Sequence, residues 1–130
     1  LALGFERDSV CMTDADNDTI KLDPMRSACP IANVLDLVGD KWSMLIVRDM
    51  LLFDKHRYSD FLASDEGIPT NILANRLKRL EQYGIIDKRP YQLNPVRNEY
   101  HLTAIGHDLR PMVMEMVNWG LKHIPGTGRQ

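Results

Sequence analysis

Residues 59–84 read SDFLASDEGIPTNILANRLKRLEQYG, two helix-like runs joined by a glycine turn. Ser59 is of a type that caps helices, and a short helix from Asp60 to about Ser64 can follow it. Asp65-Glu66-Gly67-Ile68 then makes the turn. Pro69 suits a helix start, where its missing N–H costs nothing, and Gly84 suits the position just past a helix end. The spacing therefore predicts a second, longer helix over about 69–83. At about 100° per residue, Leu73, Leu77 and Leu80 share one face of it. The opposite face carries Asn71, Ala74, Asn75, Lys78 and Arg79, with no carboxylate before Glu81. A short helix, a turn and a longer helix make a helix-turn-helix.

The flanking segments fit that core. Ile85–Arg89 and Val96–Leu102 are strand-like and are separated by a loop of about six residues holding the turn signal Asn94-Pro95. A hairpin there, over about 85–102, is a wing. Upstream, Cys29-Pro30 opens a helix with apolar Ile31, Val34, Leu35 and Val38 at helical spacing, ended by Gly39. Asp40 is expected to cap a second helix, Lys41 to Leu52, apolar nearly all round and so buried. His56-Arg57-Tyr58 reads as a short strand. Thr103 caps a last helix reaching about Leu121, kinked at Pro111. The fold class is mainly α with a small β-hairpin (α+β): a winged helix-turn-helix domain with extra N- and C-terminal dimerisation helices.

Composition bounds the alternatives. The 130 residues suit one domain, and 44% are hydrophobic, enough for a core. The formal net charge is −2, which does not mark a general nucleic-acid packer. Its distribution matters more. Residues 69–101 hold six Lys or Arg against three Asp or Glu, whereas residues 1–28 hold three against six. Three segments follow: an acidic, loosely ordered arm over 1–27 with an apolar anchor at Ile20 and Leu22, the domain over 28–122, and a tail over 123–130. No apolar run nears the roughly 18 residues of a membrane helix, and no secretory pattern is present, so a cytoplasmic location is expected.

The outward face of the longer helix has the chemistry of duplex reading. Amides can pair bidentately with adenine edges, and basic side chains can take guanine or phosphate. Thr70 stands at the helix start, where backbone N–H groups favour phosphate. Ser59 and Arg97 complete the expected DNA-binding set with Thr70, Asn71, Ala74, Asn75, Lys78 and Arg79. The alternative is a winged helix used for protein–protein contact without DNA binding. A docking face of that kind carries aromatic or aliphatic anchors, which this face lacks.

The last helix carries Ile105, Leu109, Met112, Val113, Met116 and Val117 over a wide arc, more than one small domain covers. Leu109, Met112, Val113, Met116 and Val117, with Ile31 and Leu35 of the first helix, are expected to form a homodimer seam. Cys29 would sit at a helix N-cap, where the dipole favours a thiolate, with Arg26 close in sequence. That makes it a candidate redox site; packing at the dimer edge is the other reading. Cys11 could reach it. Trp42 and Trp119 either line a pocket for a small-molecule effector or pack in core and interface. The four histidines and two cysteines show no metal-ligand spacing, and no catalytic constellation or cofactor motif is present. An enzyme is not expected.

Three runs also resemble a known family. Cys29-Pro30-Ile31 with Asp36-Leu37-Val38-Gly39-Asp40-Lys41-Trp42, then Gly67 through Glu81, then Glu99-Tyr100-His101-Leu102-Thr103-Ala104-Ile105-Gly106 are together similar to HxlR-type winged helix-turn-helix regulators. The likeness spans about residues 28–120. It implies a bacterial or archaeal transcription regulator, dimeric through its first and last helices; a dimer that places two such helices in successive major grooves is expected to take a pseudo-palindromic DNA site. Some members of that family sense oxidants or electrophiles at a cysteine matching Cys29. The wing tip, Tyr91 to Pro95, lacks the run of prolines and the extra basic residues many such wings carry.

Overall fold

The computed structural model describes residues 19–128. Helix α1 (Pro30–Val38) starts where Cys29 is the N-cap and ends at Gly39. Helix α2 (Ser43–Leu52) begins later than Asp40 suggested. The Asp40 carboxylate reaches forward instead, accepting from the Trp42 amide at 3.0 Å, the Ser43 amide at 3.1 Å and the Ser43 hydroxyl at 2.6 Å. It satisfies helix-start donors from a tight turn, and Lys41 and Trp42 stay outside the helix.

Helix α3 (Tyr58–Leu62) starts before Ser59, which lies inside it rather than capping it. Asp60 is the cap donor's partner: its carboxylate accepts from the Arg57 amide at 3.3 Å. His56–Tyr58 is not a strand. One backbone bond, from the Tyr100 amide to the His56 carbonyl at 2.8 Å, ties this stretch to the wing, while the Arg57 carbonyl already accepts from the Asp60 and Phe61 amides of the helix.

Helix α4 (Thr70–Gln82) closes at Tyr83, and Gly84 follows at φ +78, a left-handed conformation that favours glycine. Strands β1 (Ile86–Leu93) and β2 (Val96–Leu102) pair antiparallel. β1 extends past Arg89 because a register irregularity between Pro90 and Gln92 absorbs Tyr91 and lets pairing resume, Gln92 with Arg97 and Leu93 with Val96. The expected six-residue loop shrinks to Asn94-Pro95.

The expected last helix is two, α5 (Ala104–His107) and α6 (Arg110–His123). Thr103 caps the first, its hydroxyl accepting from the Gly106 amide at 3.2 Å. Pro111 falls in the first turn of α6, so the chain breaks before it rather than kinking at it. Gly106 is buried, and a Cβ there would run into the Ile85 carbonyl oxygen and lie 2.8 Å from Leu102 Cδ2.

The core joins α2 to α4. Ile46, Val47 and Met50 of α2 meet Phe61 of α3, Leu73, Leu77 and Leu80 of α4, and the wing base Ile85, Ile86 and Leu102. Ile20 packs against it from outside. Within this apolar setting α2 also buries Asp49. It accepts from Arg48 at 2.7 Å and from the Ser64 hydroxyl at 2.7 Å, while Arg48 reaches Glu66 at 2.9 Å. This network ties α2 to the end of α3 and the turn before α4.

Candidate nucleic-acid interface

Three buried leucines seat α4 on the core, and its other side faces outward. Thr70, Asn71, Ala74, Asn75 and Lys78 are all exposed. Together they form a polar strip running up the helix from its N-terminus. Among the described residues Lys78 makes no ion pair, so its charge is available to a partner. Asn75 accepts from the neighbouring Arg76 guanidinium through Oδ1. The Thr70 carbonyl accepts from the Tyr58 hydroxyl at 2.8 Å, fixing α3 against the start of α4.

Arg79 does not stand free on that strip. It is half-buried, and its guanidinium donates to the Asp36 carbonyl at 3.3 Å, near the end of α1. Arg76 likewise turns away and meets Asp40 at 2.8 Å. Burial pushes the Asp40 carboxyl up, but the bonds from Ser43, Arg76 and the two backbone amides outweigh it and hold the pKa at about 2. These two arginines therefore brace α4 against α1 and the turn after it.

Ser59 is exposed on α3 beside the strip's start, and Arg97 is exposed near the wing tip. Lys88 and Arg89 are also exposed on the wing, with Arg89 paired to Asp87 at 3.0 Å. Arg57, not singled out in the sequence, sits at the head of α3. It lies 3.9 Å from the Tyr91 ring centre and 3.3 Å from Glu99. Its nearness to the wing comes from tertiary packing, which local spacing does not reveal.

The residues expected at a dimer seam divide. Ile31 and Leu35 of α1 and Met112 and Met116 of α6 are exposed. Leu109 and Val117 are half-buried. Val113 is not on the seam: it is 4% exposed and belongs to the chain's own core, the one side of α6 that packs inward. Met114, Trp119, Leu121 and Ile124 join the exposed set. Leu52 at the end of α2 and Phe53 just after it line, with Met114, Met116, Val117 and Leu121, a groove of about 530 Å³ along this face. Trp42 is half-buried and lines a small cavity with Ile46, Phe61 and Ile68, whereas Trp119 stands out beside His123.

Cys29 is exposed at the N-cap of α1. Arg26 is engaged elsewhere, paired to Asp36 at 2.8 Å. Cys11 and most of the acidic arm lie outside the described residues.

A helix-turn-helix braced on a buried core and followed by a two-stranded wing defines this chain as a winged helix-turn-helix protein. The model for the HxlR-like helix-turn-helix matches residues 37–127. The chain belongs to that family. An uncharacterized HTH-type transcriptional regulator of Mycobacterium tuberculosis is 37% identical over 95 residues, 73% of this chain and 59% of that protein. The chain thus spans under two thirds of that relative's length. Among solved structures, the redox regulator HypR in its oxidized form superimposes with a TM-score of 0.65 at 31% identity, over 78% of this chain and 99% of HypR. The reduced transcriptional regulator YodB of Bacillus subtilis gives a TM-score of 0.61 at 29% identity, over 78% of this chain and 100% of YodB. Among the described residues no helix is long and apolar enough to cross a membrane.

Proposed function

We propose that this chain is a sequence-specific transcription regulator that binds duplex DNA as a homodimer in the cytoplasm of a prokaryote. The observation that carries the reading is the exposed strip Thr70-Asn71-Ala74-Asn75-Lys78 on a helix seated by three buried leucines. Laid in the major groove, its amides meet base edges and Lys78 meets phosphate. Ser59, Lys88, Arg89 and Arg97 lie where flanking backbone contacts would fall. Two copies joined through α1 and α6 would place two such strips on half-sites of a pseudo-palindromic operator. Selecting bound fragments from a genomic library with the purified chain tests this. Recovered sites should share an inverted repeat; retention of no duplex at low salt would sink the reading and favour a protein partner.

Cys29 is the proposed sensor. It is exposed at the N-terminus of α1, two residues before the exposed apolar Ile31, and the similar HypR is a redox regulator. Oxidation or alkylation of its thiol there would disturb how two copies of α1 meet. Operator affinity should change on mild diamide treatment of the parent and stay constant in Cys29→Ser. Equal responses in the two would assign Cys29 to packing.

A further inference from the structure

The loop between α2 and α3 runs along β2, and the His56 ring adds a second link to the backbone bond already described. Its Nδ1 lies 2.9 Å from the Tyr100 carbonyl oxygen, and its Nε2 lies 2.8 Å from Asp54 Oδ1. Both partners only accept hydrogen bonds: one is a carbonyl, the other an ionised carboxylate. A neutral imidazole has one N–H and can satisfy one of them, whereas an imidazolium has two and satisfies both.

The surroundings agree on where the charge sits. His101 of β2 stacks on His56, with ring centres 4.2 Å apart and planes 20° apart. Two charged rings at that distance repel, so a single positive charge is favoured on the pair. His56 faces two acceptors. His101 gives a single N–H to Glu99 at 3.1 Å, and Glu99 is shared with Arg57. Asp87 stands opposite His101 in β1 but is tied to Arg89. Lys88, opposite Tyr100, is exposed on the wing. Lys55 turns its ammonium to Ser64 at 2.9 Å.

We infer that His56 is a proton-operated clasp fixing the wing to the helix-turn-helix, closed while the ring holds two protons and released when it loses one. A neutral ring must surrender the Tyr100 carbonyl or the Asp54 carboxylate. Burial opposes the charged ring, but the Tyr100 carbonyl and Asp54 outweigh it, and the ring's pKa is raised above the ordinary histidine value. A raised value means the clasp's stabilisation is full below the ordinary value and is lost as pH rises through the folded midpoint. Resting on the proposed DNA reading, the clasp makes operator affinity fall with rising pH.

The test begins without DNA. Nitrogen NMR of the histidine-labelled chain should show His56 protonated at both ring nitrogens, with a midpoint above ~6.5. Asp54→Asn removes the charge while tolerating the left-handed backbone at φ 55. It should lower that midpoint. Wing amides of the parent should exchange faster above the midpoint, relative to His56→Gln at the same pH. Operator affinity of the parent should then drop about two- to tenfold across the midpoint, the worth of one hydrogen bond, while His56→Gln stays flat. A midpoint at or below the ordinary value, or one unmoved in Asp54→Asn, overturns the clasp. So do wing amides that ignore the titration. Failure to bind any duplex counts against the DNA reading alone, since the NMR and exchange arms decide the clasp independently.

Discussion

Two surfaces of this chain are left uncovered by its own fold, and their chemistry is opposite. Helix α4 spends its leucines inward and shows amides, a hydroxyl and a lysine outward. Helix α6 buries only Val113 and shows Met116 and Trp119, at 56% and 62% exposure. The first surface suits a polar, patterned partner. The second is unfavourable to leave in water and suits an apolar partner. Neither is independent of the other. Arg76 to Asp40 and Arg79 to Asp36 brace α4 against α1 and the turn after it, and α1 itself exposes apolar Ile31 and Leu35.

Breaking the apolar surface should have the largest effect. Met116→Glu combined with Trp119→Glu places two charges on the proposed seam, and the dissociation constant of the dimer should rise at least about 100-fold, or about 3 kcal/mol. Sedimentation at tens of micromolar reads it, the parent running as a dimer and the variant as a monomer. A parent that is itself monomeric at that concentration removes the second surface from the comparison.

Breaking the polar surface should cost less per residue. Asn75→Ala or Asn71→Ala should lose about 1–3 kcal/mol on a selected site and relax preference at one base position. Lys78→Ala should weaken all duplexes alike and lower the salt slope by about one. Fluorescence anisotropy on matched and mismatched duplexes separates the two patterns. Both sets of variants should remain dimeric, which is the sharpest form of the contrast.

The brace between the surfaces should give the smallest change. Asp40 has its pKa held at about 2 against an ordinary 3.8, so its stabilisation is complete above the ordinary value and vanishes as pH falls towards 2. Asp40→Asn should therefore be less stable by about 1–2 kcal/mol near neutral pH, allowing for solvent screening. Urea unfolding at several pH values should show the two chains converging in acid. A constant gap would mean that the carboxylate's charge is not what matters.

Much of this was legible from local pattern because local chemistry decides it. Cys29-Pro30, Gly84 and Thr103 mark helix ends through groups within a few residues, and the leucine spacing of α4 names its buried face. What escaped reading turned either on which of several nearby polar groups meets a free amide or on distant partners. Asp40 looked like an immediate cap, yet its carboxylate serves amides from a turn. The α3 boundary moved because Asp60, not Ser59, meets the free amide of Arg57. Arg79 projected outward on a helical wheel, but α1 lies close enough to claim it. Val113 carries no mark separating it from Met112 or Met116; only the direction in which α6 packs does. The buried Asp49 network joins residues up to Glu66, and the wing's reach to Arg57 spans β1 and α3. Neither has a periodic signature.

Gly106 gives the fold a fulcrum. With no side chain of its own, it lets α5 rest directly on the Ile85 carbonyl, and α6 leaves from that point like an arm. The arm has 14 residues, about 21 Å at about 1.5 Å per residue. A tilt of about 5° at its base carries its far end about 2 Å, on the same 1.5 Å-rise geometry. The atom missing from one buried residue is therefore an angular setting, and the molecule reads it out at the opposite end as a distance.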